Sequence, residues 1–106
     1  MTDEAFQELR VDHTAKRFAM SDQKSQAYTQ GSDDRLYNFK ELARMAKTTP
    51  HEVLTIYMGK HWMALMAWLN QGIVPSDGVA NTIADIQNYC DLALAMFVEA
   101  QSESHD

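Results

Sequence analysis

Lys60 is the residue whose type and surroundings most plainly invite chemistry. It is the only base after residue 48, and it lies in the apolar stretch 53–69, which Gly59, Lys60 and His61 interrupt. An ammonium held among apolar side chains is costly, or gives up its proton, unless an anion meets it. That anion is either a carboxylate of the chain, with Asp85 the candidate, or a phosphate from outside. The plainer alternative is a lysine that snorkels to water. At 100° per residue Lys60 shares its helix face with Ala64, Ala67 and Gln71, with Tyr57 nearby. The small alanines let another backbone or a ligand come close. His61 follows directly, and its imidazole reads either as a phosphate donor or switch or as a satisfied core or interface residue.

The segment that would answer Lys60 is 77–101. There Asn81, Asp85, Asn88, Tyr89, Leu92 and Met96 fall on one side of a helix. Asp85 with Asn81 and Asn88 suits a hydrated Mg²⁺ or a ribose hydroxyl; the same three also suit a solvated face. The opposite stripe, Val79, Ile83, Ile86, Cys90, Leu94 and Phe97, reads as the core face.

Four helices must position these groups. The first covers about 3–27, with Phe6, Leu9, His13 and Met20 near one face and Val11, Ala15 and Phe18 near another, which suits contact with two neighbours. Residues 28–36 form a loop around Gly31 and a Ser/Asp cluster. A short helix spans about 37–47, with Phe39, Leu42, Ala43 and Ala46 on one side. Thr49 then caps a third helix with Pro50 in its first turn, and Gly72 ends it. This helix is apolar nearly all round, so it is central or at a subunit interface. Ser76 or Asp77 caps the last helix, and the polar tail 102–106 frays. No segment alternates as a strand does. The fold class is all-α: a single-domain helical bundle over 1–106, of three long helices and one short one, packed into a homo-oligomer.

Composition narrows the function. The chain has 106 residues and a formal net charge of −6. Residues 1–48 hold eight of the nine bases and eight acids; residues 49–106 hold one base and seven acids. Such a balance disfavours duplex nucleic acid as a partner. A single cysteine, Cys90, excludes an internal disulfide and a four-cysteine zinc site. The acidic start, without an apolar stretch after it, predicts no signal peptide, no membrane partner and a cytoplasmic location. The run 53–69 reads as a buried core helix, not a membrane span.

Scattered residues also form a set: Lys24-x-x-x-Tyr28, Asp34-Arg35-x-x-Asn38-Phe39, Thr49 at a helix start, Lys60-His61, and Asp85-x-x-Asn88-Tyr89. Over about residues 20–98 this resembles small phage and prophage nucleotide-modification-associated domain proteins, all-α relatives of MazG-like NTP pyrophosphatases. The resemblance implies a nucleotide-related role carried by Lys24, Tyr28, Arg35, Asn38, Lys60, His61, Asp85 and Asn88. Lys24, Arg35 and Lys60 would supply phosphate charge, arginine through paired donors. Tyr28 or Tyr37 would stack on a base, and Asn38 and Asn88 would bond a base edge or ribose. Asp34 to Phe39 equally reads as a helix start with Phe39 in the core. The clustered Glu-x-x-Glu metal motif of the pyrophosphatases is missing, which points to capture rather than hydrolysis.

The leading expectation is therefore a phage-type protein that captures a phosphorylated nucleotide or nucleotide-derived signal, in a counter-defence role within the host cytoplasm. One alternative is a reduced Mg²⁺-dependent nucleotide pyrophosphatase with Asp85 as metal ligand. Another is an inhibitor that binds a host enzyme through its acidic surface.

Overall fold

Thr2 opens the first helix by accepting a hydrogen bond on its hydroxyl from the Ala5 amide at 3.1 Å. Thr49 does the same for the third, accepting from Glu52 at 3.2 Å with Pro50 at the first helical position. Gly72, at φ 71°, ends that helix in the left-handed conformation. In the computed structural model, which describes residues 1–104, these signals delimit α1 (Asp3–Tyr28), α2 (Tyr37–Ala46), α3 (Pro50–Gln71) and α4 (Val79–Ser104). The fold is all-α, with no strand among the described residues. No helix among them is long and apolar enough to cross a membrane.

The last helix starts differently from the sequence reading. Ser76 and Asp77 lie in a turn closed by Gly78 N–H donating to the Pro75 carbonyl at 2.9 Å, and the Gly78 carbonyl accepts from Thr82. Gly78, at φ 88°, turns the chain into α4. At the far end α4 continues through Ser104, beyond the expected start of fraying; His105 and Asp106 of that tail lie outside the described residues.

α3 and α4 form an antiparallel hairpin. His61 meets Asp85, Tyr57 meets Tyr89, and Val53 and Leu54 share a core with Met96. α2 lies on α3 and adds Leu36, Phe39 and Ala43 to that core. α1 lies on α4 and buries no residue of its own. Its attachment is polar. Arg17 Nη1 donates to Asn88 Oδ1 at 3.0 Å and to Asp91 Oδ2 at 2.6 Å. Asn88 Nδ2 donates back to the Arg17 carbonyl at 3.1 Å, and His13 meets Gln87 at 2.6 Å. The uneven charge of the sequence thus becomes an interface: bases of the first half face acids of α4. Val11 and Phe18 of α1 are exposed, so the described residues do not supply the expected second neighbour.

Two burial expectations are corrected. The second half of the α4 stripe read as core faces outward: Cys90 is exposed, and Leu94 and Phe97 are 61% and 59% exposed, while Val79, Ile83 and Ile86 are half-buried. The side bearing Asn88 and Met96 faces inward, because Arg17 satisfies the Asn88 amide that would otherwise oppose burial. Likewise α3 is not a buried helix; only Val53 and Leu54 are buried, while Ile56, Trp62, Met63 and Leu69 are exposed. The molecule is accordingly open. Its radius of gyration is 15.8 Å, against about 13 Å for a compact chain of this length.

α2 is anchored by Asp34. One carboxylate oxygen accepts from Leu36 N–H at 2.9 Å, the other from Lys40 at 2.6 Å. Lys40 also reaches Glu99 of α4 at 2.8 Å. The Lys40 ammonium holds the Asp34 carboxyl below its ordinary range, against partial burial and with help from Leu36 N–H.

Two outcomes follow for stability. Phe39→Ala should cost about 3–5 kcal/mol in denaturant unfolding, whereas Phe18→Ala, on the exposed side of α1, should stay within about 0.5 kcal/mol. Because the Asp34 pKa is depressed in the fold, its stabilisation is present above the ordinary carboxylate pKa and is lost as pH falls through the folded value. The stability gap between wild type and Asp34→Asn should therefore close on acidification, as read by urea melts across pH.

Candidate functional site

The site forms where all four helices border one groove. α1 runs to Tyr28 and stops at Thr29, whose hydroxyl donates to the Ser25 carbonyl at 2.6 Å. Gln30 and Gly31, with φ of 51° and 82°, then reverse the chain and bring Arg35 back beside α1. Arg35 Nη2 donates to Asp22 at 2.7 Å and to Ser21 at 3.1 Å. Tyr37 and Asn38 open α2 along the same wall.

The resulting groove has a volume of about 660 Å³. It is lined by Lys24 and Tyr28 from α1, Arg35, Tyr37 and Asn38, Lys60 and His61 from α3, and Asp85 and Asn88 from α4. These nine candidates from the sequence therefore reach one place, while Asn81, Asp34 and Thr49 do not line it. Their circumstances differ. Lys24 pairs with Asp85 Oδ1 at 3.1 Å. His61 Nδ1 lies 3.6 Å from Asp85 Oδ2, an ion-pair distance when the ring is protonated. Asn88 has its amide oxygen and nitrogen both bonded to Arg17. Asn38 and Lys60 make no side-chain hydrogen bond or ion pair among the described residues.

Lys60 thus matches the plainer alternative of a lysine reaching water, and not the pairing with Asp85. It is exposed, not buried among apolar groups, and Asp85 is taken by Lys24 and His61 instead. The groove-lining bases and acids balance: Lys24, Arg35 and Lys60 against Glu41, Asp77 and Asp85. Glu41 is itself paired with Arg44 outside the lining, and Arg35 with Asp22.

The reading of Asp85 as a Mg²⁺ ligand does not fit these surroundings. Its two oxygens face an ammonium and an imidazole, and the Asn81 amide is engaged by the Asp77 carbonyl at 2.8 Å. Among the described residues no three His, Cys, Asp or Glu side chains come together as a metal site. Bases this close to the carboxylate would repel a divalent cation.

Two aromatic residues complete the groove and were not among the sequence candidates. Tyr57 and Tyr89 are nearly parallel, with ring centres 6.4 Å apart and planes 10° apart. Phe39 meets Tyr57 edge-on at 6.1 Å, and the His61 ring lies 5.3 Å from Tyr89. The signal for them was present. Tyr57 precedes Lys60 by three residues and Tyr89 follows Asp85 by four, so each shares its neighbour's helix face. Burial pushes the Tyr89 phenol from 10.0 up to about 12, with the Asp85 carboxylate adding to the shift.

The raised Tyr89 value has a stability consequence. Its contribution is complete below about pH 10, the unfolded value, and is lost as pH rises through the folded value of about 12. Tyrosinate absorbance should contain a component near pH 12 that Tyr89→Phe removes, and that variant should lose less stability between pH 10 and 12. Compared with protein-family models, curated proteins and solved structures, the chain finds no match.

Proposed function

We propose that the groove captures a small phosphorylated nucleotide, held by its phosphate at Lys60 and by its base among the tyrosines. The observation that carries this reading is an unpaired lysine in a groove that also holds Lys24, Arg35 and four tyrosines. Tyr28 stands exposed at the groove and offers a face for base stacking. The Asn38 amide is free to bond a base edge. A volume of about 660 Å³ is within the size range of small-molecule sites.

The charge balance limits the ligand. Asp85 already neutralises Lys24, and Asp22 neutralises Arg35, so Lys60 is the cation left free, with the Asp77 carboxylate on the same lining. A nucleoside monophosphate or a phosphodiester-linked nucleotide suits one free lysine. A triphosphate would have to draw Lys24 or Arg35 from its carboxylate. Capture, not hydrolysis, is the reading favoured, because Asp85 faces bases instead of further carboxylates. Its biological form is a phage-type sequestering protein acting on a nucleotide-derived signal, working as a homo-oligomer.

Thermal-shift titrations test it with nucleoside monophosphates, cyclic dinucleotides, triphosphates, unphosphorylated nucleosides and inorganic phosphate. Monophosphates or diesters should raise the melting temperature with concentration, as mass action requires. Lys60→Ala should weaken that binding about tenfold, equivalent to about 1.4 kcal/mol. No shift at millimolar concentration with any of these ligands would overturn the reading. Release of pyrophosphate from a triphosphate in the presence of Mg²⁺ would replace capture with hydrolysis.

A further inference from the structure

The α3–α4 hairpin has a second side. At 100° per residue Leu69 stands about 180° around α3 from Lys60, and Trp62 about 160°. On α4, Leu94 stands about 180° from Asp85, Cys90 about 140° and Phe97 about 120°. These residues therefore occupy the side of the hairpin turned away from the groove. Trp62 is 52% exposed, and Leu69, Leu94 and Phe97 are more exposed still. The spacing is that of a helix–helix seam. Trp62, Met66 and Leu69 follow at steps of four and three, as do Cys90, Leu94 and Phe97. None of these positions is charged, matching the charge depletion at the centre of protein interfaces.

The surface area indicates what covers this side. The chain exposes 7723 Å². A compact monomer of its mass exposes about 6,000 Å², which leaves an excess of about 1,700 Å². An obligate homodimer buries about 1,000–2,500 Å² on each protomer, and the excess, to which the exposed α1 also contributes, falls in that range. We infer that a second copy of this chain docks here, the two α3–α4 hairpins meeting across a two-fold axis as a four-helix bundle. Each of the six residues then faces the partner hairpin. The two grooves open outward on opposite sides, so each protomer keeps a complete site. This inference rests on the homo-oligomer reading and is independent of nucleotide capture.

The test needs no ligand. Light scattering on the full chain at tens of micromolar should give twice the 12.1 kDa mass of one chain. Leu94→Glu and Trp62→Glu should each give the single-chain mass with helical circular dichroism retained. Val11→Glu, on exposed α1, should leave the dimer intact. Cys90 is the only cysteine, so a maleimide reports on this side alone. It should react at least tenfold more slowly in wild type than in Leu94→Glu, and more slowly in native wild type than after denaturation. The last comparison holds even where a glutamate variant fails to fold. A monomeric wild type, a dimer undisturbed by both glutamates, or native labelling at the denatured rate would each overturn the inference. So would a monomer that uses this side to bind phospholipid vesicles.

Discussion

The contact on which the rest depends is the small core where Leu36, Phe39 and Ala43 of the α2 region meet Val53 and Leu54 of α3 and Met96 of α4. Three elements exclude water together there, in the hydrophobic core cluster of the described residues. It fixes α2 across the hairpin and so sets one wall of the groove. The Phe39 ring links the two directly, being buried in the core and edge-on to Tyr57 in the groove. Apolar burial supplies the drive here, at roughly 25 cal/mol per Å² removed from water.

The opposite wall is held by other means. α1 has no fully buried residue, and pairs its bases with the acids and amides of α4. Exposed ion pairs of this kind contribute little each, about 0–1 kcal/mol, so α1 is positioned more by the Arg17–Asn88 clasp than by charge alone. That clasp is partly buried and bonds in both directions. Asp85 stands between the two regimes, tied to Lys24 on α1 and close to His61 on α3. The carboxylate that ties α1 to the hairpin is also the one that determines which lysine remains free in the groove.

Much of the candidate site was legible because helical periodicity converts spacing into a shared face. Lys60 and His61, Asp85 and Asn88, and Lys24 and Tyr28 each come from one helix at steps that place them side by side. Tyr57 and Tyr89 were harder to single out because a tyrosine at helical spacing reads equally as core. Their parallel placement depends on the register between α3 and α4, which neither segment encodes alone. The partners of the charges were equally hidden. The sequence singled out Lys60 as a partner for Asp85, yet the lysine that comes within reach of it is Lys24.

The sequence by itself determined what is local: the all-α class, the start of α3 at Thr49 and Pro50, its end at Gly72, and the turn at Gly31. These follow from backbone preferences and caps within a few residues. The tertiary structure decided which side of each helix faces inward. α4 carries two apolar stripes, and periodicity favoured the one with Cys90, Leu94 and Phe97. The other is the buried one, because its Asp85 and Asn88 find Lys24 and Arg17 on α1, and a polar group is readily buried once its bonds are met. That pairing spans more than sixty positions of the chain, a distance over which local pattern carries no information.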